Sequence, residues 1–278
     1  MSRQSPNLAP PDALRIRYRI RFAKTGLLRW ISHRDLATLF ERMARRAQLP
    51  LSMTEGFHQK PRMSFPSALP LGVESIDEVV EIELCESLNA AELKQRLIDD
   101  NQPGLSITAV TRIEGRQAKA RLVAASYQIA LPDGFDPKQQ SCLHETIREF
   151  LKRADVSFVR KEKTIAFHPA NQLEVLQLRH DGLHIKMVIG GGGALPKASD
   201  LMQLLGIEDW LERGSMIIRT KVHLADETEP TDQARTHEMV PTERQAALAL
   251  TINSQPRTTY PGGVHVDSDI QPPSTHER

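Results

Sequence analysis

The stretch Leu14–Phe22, LRIRYRIRF, alternates without a break. Ile16, Tyr18, Ile20 and Phe22 fall on one side of an extended chain, and Arg15, Arg17, Arg19 and Arg21 fall on the other. Period two with β-branched and aromatic residues predicts a half-buried strand. Four stacked arginines repel one another unless something anionic, or the acidic side chains of a neighbouring strand, sits opposite them. Beyond Gly26, which makes a turn, Leu27–Ile31 can return as a strand. The period then changes. Ser32 has the character of a helix N-cap, with Asp35 at the third helical position in place of the more usual Glu. Leu36, Leu39, Phe40, Met43 and Ala47 recur at helical spacing and form a core face, whereas Arg34, Arg42, Arg45 and Arg46 lie mostly off it. Pro50 ends the helix.

Further along, Pro61, Pro66 and Pro70 keep the chain extended or looped. Val79–Leu84 is a strand. Asn89 and Glu92 make a capping box for a helix carrying Leu93, Leu97 and Ile98, closed by Pro103-Gly104, and Leu105–Ile113 is another strand. Strand, helix, strand, strand, helix, strand, with a hairpin added, is the order of a ferredoxin-like α/β sandwich. A second set of similar order follows a charged linker at 114–125. It comprises strands at Tyr127–Leu131 and Val156–Lys161, a helix at Ser141–Arg153, a hairpin of Leu173–Arg179 and Leu183–Ile189 around His180-Asp181-Gly182, a short helix at Ser199–Leu205 capped by Ser199, and a last strand at Met216–Leu224. The expected class is therefore α+β. Two ferredoxin-like units with antiparallel sheets occupy 14–114 and 126–224, a disordered Pro-rich lead occupies 1–13, and a disordered polar tail occupies 225–278.

The composition suits a soluble globular chain, with 40% hydrophobic and 26% charged residues and a net charge of +1. Its charge is uneven, however. From Leu14 to Pro70 twelve basic residues stand against Asp35, Glu41 and Glu55 alone. Such asymmetry fits an anionic partner at the N-terminal face, and equally a solvated face beside the acids Glu78, Glu81 and Glu83. Cys85 and Cys142 cannot form a four-thiolate site and read as small buried hydrophobes in a reducing compartment. No apolar run is long enough for a membrane helix, and the N-terminus lacks the hydrophobic centre of a secretory signal, so the cytoplasm is the default.

Two places carry chemistry. His33 opens the first helix, where free backbone N–H groups favour phosphate or carboxylate. As acid or base it would lack Asp35 as a helper, because residues two apart do not face each other on a helix. The structural alternative is that Ser32 and Asp35 cap the helix while His33 packs on a nearby loop. The second place is Gly56-Phe57-His58-Gln59-Lys60-Pro61-Arg62. An aromatic among cations suits single-stranded nucleic acid; the alternative is a Pro-kinked loop whose Phe57 plugs the core. The histidines lack metal-ligand spacing, and Gly190–Gly193 lacks both the Gly-Lys-Ser/Thr ending of a P-loop and the spaced glycines of a dinucleotide fold. Neither a metal nor a cofactor is expected.

These residues together resemble a known family. Lys24-x-Gly26, Arg29-x-Ile31-Ser32-His33-x-Asp35-Leu36, Glu41-Arg42, Arg45-Arg46-Ala47, Leu49-Pro50, Gly56-Phe57, Pro61-x-x-x-Phe65 and Ala68-Leu69-Pro70-Leu71-Gly72-x-x-Ser75 are similar to the signature of the bacterial radical SAM-linked proteins, the DUF2344 domain. The resemblance runs over roughly residues 14–224, with Leu195-Pro196 and Leu205-Gly206 in its weaker second half. It implies a domain fused to, or encoded beside, a radical S-adenosylmethionine protein, and it carries no catalytic residue with it. Gln59 stands where the family usually has Pro. The sequence also contains no C-x-x-x-C-x-x-C, the cysteine triad that holds the iron–sulfur cluster of radical SAM enzymes. The expectation is thus the accessory module alone, which cannot itself generate the radical. It would dock a radical SAM partner, or present an anionic substrate such as RNA, through Lys24, Arg29, Ser32, His33, Asp35, Arg42, Arg45, Arg46, Gly56, Phe57, His58, Lys60 and Arg62. The competing expectations are a stand-alone enzyme that uses His33 and His58 as acid and base on a phosphate-bearing substrate, and a scaffold without a ligand.

Overall fold

The strand expected from LRIRYRIRF is present as β1, Ile16–Lys24, and it lies inside a sheet rather than at its edge. A computed structural model describes residues 15–100, 102–115, 118–189 and 196–227. The Pro-rich lead through Ala13, the glycine run Gly190–Gly193 and the tail beyond Glu227 fall outside the described residues.

After β1 come a 3-10 helix at Gly26–Trp30, α1 at His33–Arg46, a two-residue β2 at Met63–Ser64, β3 at Glu74–Leu84, α2 at Ala90–Asp99 and β4 at Leu105–Ile113. Across the sheet they run β4-β1-β3, with β2 on the far side of β3, and every pairing is antiparallel. The second half supplies β5 at Leu122–Ile129, α3 at Pro137–Leu151, a separate hairpin of β6 (Val156–Arg160) and β7 (Lys163–Phe167), and α4 at Pro169–Gln172. It continues with β8 at Leu173–Arg179, β9 at Gly182–Val188, α5 at Ala198–Leu205 and β10 at Ile217–Leu224. Its sheet order, β10-β5-β9-β8, is again fourth-first-third-second and antiparallel. Each half therefore has the ferredoxin-like order, the second with the β6–β7 hairpin inserted.

The two halves share one mixed sheet. β10 runs parallel to β3, with Ile218 opposite Glu74 and Arg219 opposite Ser75. β3 is long enough to accept β2 near one end and β10 near the other. Helices cover one face of this sheet and leave two apolar cores. Tyr18, Ile20, Phe22, Val80 and Ile82 pack with Leu36, Phe40, Met43, Leu93 and Leu97 in the first. Ile129, Leu183 and Ile185 pack with Leu143, Ile147, Phe150, Leu201 and Met202 in the second. Each fully buried side chain of this size contributes roughly 1.5–3 kcal/mol, so α1 is held by Leu36, Phe40 and Met43 more than by helix propensity.

Several elements differ from expectation, for identifiable reasons. Leu27–Ile31 is not a strand. β1 already has β3 and β4 on its two sides, and the Gly26 N–H donates to Glu74 Oε1 at 2.9 Å while the Thr25 N–H donates to Gly104 O at 2.8 Å, so the chain coils into a 3-10 turn instead. α3 begins at Pro137 rather than Ser141, because Asp136 and Gln139 form a reciprocal capping box with Pro at the first turn. α5 is capped at Lys197, whose N–H donates to Asp200, and not at Ser199. β5 starts at Leu122, inside the stretch expected to be linker. Cys85 is half-buried and Cys142 is exposed, since the inward face of α3 is taken by Leu143, Ile147 and Phe150. Among the described residues no helix is long and apolar enough to cross a membrane.

Candidate functional site

The arginine row of β1 is neutralised from within. On the side of the sheet away from the helices, Arg19 donates to Glu81 Oε1 through Nε at 3.2 Å and Nη2 at 2.9 Å, and Arg21 donates to both oxygens of Asp77 at 2.7 and 2.6 Å. Arg17 lies 3.8 Å from Glu81 and 3.6 Å from Glu83 and donates to Ala118 O. The turn after β10 closes over the same row: Asp226 accepts from Arg19 at 2.6 Å, and Glu227 pairs with Arg19 and Arg21. Burial would raise the Asp226 carboxyl, but the hydrogen bond and charge of Arg19 outweigh it and hold that carboxyl below its ordinary range. Of the two partners that alternation allowed, an outside anion or an acidic neighbouring strand, the structure has the second.

Lys24 is also spent internally. It is buried, donates to Ile31 O at 3.1 Å, and has its pKa lowered by burial despite the attraction of Glu78. Arg29 pairs with Glu74 at 3.0 Å and lies over the Trp30 ring, 5.2 Å from its centroid. Ser32 caps α1, accepting from the Asp35 N–H at 3.2 Å and donating to Asp35 Oδ2 at 2.7 Å. The His33 ring meets Phe65 edge-on at 5.1 Å, and the residue is exposed at the start of α1. On the outer face of α1, Arg45 pairs with Glu41 and Arg46 forks onto Asp100, whereas Arg42 is exposed with no ion pair among the described residues.

The Gly56–Arg62 segment is the part that stays open. Between Leu51, bridged to Leu84, and β2, the edge strand makes an excursion. Its base is pinched where the Arg62 N–H donates to Ser52 O at 2.8 Å and the Thr54 N–H donates to Lys60 O at 2.8 Å. Arg62 Nε adds a bond to Met53 O at 3.0 Å. Gly56 turns the tip at φ 109°, a conformation that L side chains rarely adopt. Phe57 does not plug the core: its relative exposure is 106%, and Glu55, His58, Gln59 and Lys60 around it are exposed too. The tip thus presents an aromatic ring and two basic side chains to solvent on a pinned base, without the Pro expected at position 59.

Beside the base of this excursion lies a cavity of about 590 Å³ lined by Arg15, Arg17, Thr54, Arg62, Glu81, Glu83, Arg112, Glu114 and Lys119, among others. Of the residues singled out from the sequence, it takes in Arg62 but neither His33 nor His58. Sequence reasoning missed Glu55, Arg112 and Lys119 as neighbours of Arg62. The one hint was a carboxylate immediately before Gly56 in an otherwise basic loop. Among the described residues no group of three or more His, Cys, Asp or Glu is placed to hold a metal ion.

Comparison with known proteins gives a family. The family model described as an uncharacterized protein conserved in bacteria, DUF2344, matches residues 17–192, which spans β1 to the end of β9. No curated protein matches the chain. Because that model covers more than half of the sequence, the chain belongs to the DUF2344 family.

Proposed function

We propose that this chain is an accessory binding module that presents a single-stranded RNA through the Gly56–Arg62 loop and docks a radical S-adenosylmethionine protein that acts on what is presented. The observation that carries the RNA reading is Phe57. Single exposed apolar residues are common on protein surfaces. A phenylalanine held wholly in water at the tip of a pinned loop, with His58 and Lys60 beside it, is a different case. Aromatic faces stacked on bases, with cations following the backbone, are the chemistry by which proteins hold single strands. The docking reading is supported by the resemblance to radical SAM-linked proteins and by the lack of a cysteine triad in these residues: a module without the cluster needs a partner that has one. The setting for both is the cytoplasm.

Titration of a fluorescein-labelled ten-nucleotide RNA, followed by anisotropy at low salt, tests the first half. Binding that weakens steeply with added salt is expected, and no binding at low salt overturns it. Capture of partners by the tagged full chain from extract of its own cells tests the second. A radical SAM protein among the captured proteins is the expected result, and its absence from repeated captures overturns the docking reading.

A further inference from the structure

The cavity beside the loop holds carboxylates as well as cations, and its charges separate into two kinds when each is followed to its partner. Glu81 is buried and taken by Arg19 and by the Ala120 N–H at 3.1 Å. Glu83 faces Arg17, and Glu114 faces Arg112 at 3.2 Å. Arg15 and Arg62 are different. Among the described residues their carboxylate partner is Glu55, a loop residue whose side chain is 84% exposed. Both approach the same oxygen: Arg15 Nη2 lies 3.5 Å from Glu55 Oε1 and Arg62 Nη2 lies 3.7 Å from it. Neither distance is a hydrogen bond, for which N···O is about 2.7–3.2 Å, and exposed pairs of this kind are worth about 0–1 kcal/mol.

Two guanidinium groups converging on one atom without bonding to it describe a site whose present occupant fits poorly. The Glu55 carboxylate is tied to its own loop and meets the pair through Oε1 alone, at distances too long to bond. A phosphodiester of a bound strand is not tied to that loop, so its two non-bridging oxygens can each be taken by one arginine at the shorter distances of a charge-assisted bond. Arg62 is already oriented for this, because its Nε is tied to Met53 O and only the Nη end is left to the site. Resting on the RNA reading above, we infer that Arg15 and Arg62 form a clamp for one backbone phosphate of a single strand, and that Glu55 is its resident placeholder, displaced when the strand binds. Glu55 stands two residues before Phe57, so the clamp and the stacking ring belong to one loop, and a strand seated on both is held by its backbone and by a base.

The test is the same RNA titration with Glu55→Gln, Arg15→Gln, Arg62→Gln and Phe57→Ala, each compared with the unaltered chain by circular dichroism. Removing the placeholder charge is expected to tighten binding several-fold. Losing either arginine is expected to weaken binding about tenfold and to lower the salt slope by about 0.7, as removal of one phosphate contact to a single strand does. Phe57→Ala weakens binding and leaves that slope alone. Arg15→Gln keeps the test intact if loss of Arg62 disturbs the loop base. Unchanged affinity and slope for Arg15→Gln, or unchanged or weaker binding for Glu55→Gln, overturns the clamp, while weakening by Phe57→Ala in the same series leaves the RNA reading standing. Absence of binding by the unaltered chain overturns both. Adenosine 5′-monophosphate is the competitor: displacement of RNA only at much higher concentration fits a strand site, and displacement at equal concentration overturns the assignment to a strand.

Discussion

Arg219 of β10 forks onto Glu78 of β3, Nε to Oε1 at 2.7 Å and Nη2 to Oε2 at 2.9 Å, with both side chains almost wholly buried. The pair sits where the two ferredoxin-like halves meet, next to the short parallel pairing of β3 with β10. Arg219 also donates to Ser67 Oγ at 2.9 Å and lies over Tyr127, and its carbonyl accepts from Ser75 Oγ, so one residue of the second half ties down three elements around it. Burial pushes the Glu78 carboxyl up, against the pull of Arg219, and pushes the neighbouring Lys24 down.

Removing one member of this pair leaves the other charged, buried and unmatched. Arg219→Met is therefore expected to cost about 3–5 kcal/mol, whereas the double change Glu78→Leu with Arg219→Met recovers most of that loss. Urea unfolding of the three proteins checks it. Equal losses for the single and double variants would show that packing, not charge, holds this junction.

At Gly182, which opens β9, φ is 141°, and a Cβ added there would stand 2.3 Å from the carbonyl oxygen of Ile129. Backbone atoms cannot move aside as a flexible side chain can. Gly214 has φ 89° but open space around it. Alanine at 214 should cost only the backbone strain, about 1–3 kcal/mol, and alanine at 182 should cost more by the clash. Thermal melting of both variants measures the difference, and equal shifts would mean the sheet relaxes at Ile129 without penalty.

Much of the fold could be read from the sequence because its signals are local. The alternation of Ile16, Tyr18, Ile20 and Phe22 makes β1, Ser32 and Asn89 mark helix starts, and Asp181-Gly182 closes a hairpin. β6 is expected at Val156–Lys161, but β7 and the hairpin it closes escape because the turn places Lys161 and Glu162 at φ 46° and 64°, where glycine or asparagine would have announced it. The site was half legible. Gly56-Phe57 in a basic stretch marks a loop, but whether Phe57 faces the core or water depends on Arg62 pinching onto Ser52 and Met53, which no spacing reveals. The arginine row left two partners open, an outside anion or an acidic neighbouring strand, and Glu81 and Asp77 of β3 are the second. Its other neutralising partners Asp226 and Glu227 lie more than two hundred residues away, joined to it only by the path of β10.

Asp226 makes that distant contact titratable. Its pKa is held below the ordinary 3.8 by Arg19, so the folded state binds its proton more weakly than the unfolded chain does. The contribution to stability is then present above about pH 3.8 and lost as the pH falls through the depressed folded value. Because the side chain is 34% exposed, the effect is that of a partly solvated pair, about 0.5–1 kcal/mol. Asp226→Asn should unfold at lower urea than the unaltered chain at pH 7, with the gap narrowing as the pH drops below 3.8. A gap that stays constant with pH would mean that the carboxylate charge is not what Arg19 holds.

Phe57 and His33 separate binding from folding. Phe57 buries nothing, so Phe57→Ala should change stability by no more than about 0.5 kcal/mol, while RNA affinity falls by the stacking of one base, about 1–3 kcal/mol. Phe57→Trp should keep or improve affinity, since a wider ring stacks as well. His33→Ala should do the reverse, loosening α1 where the ring packs on Phe65 and leaving RNA affinity near that of the unaltered chain. Anisotropy and urea midpoints on the same three proteins decide it. If Phe57→Ala destabilises the chain, the ring is structural after all, and if His33→Ala abolishes binding without loss of stability, the functional surface extends to the start of α1.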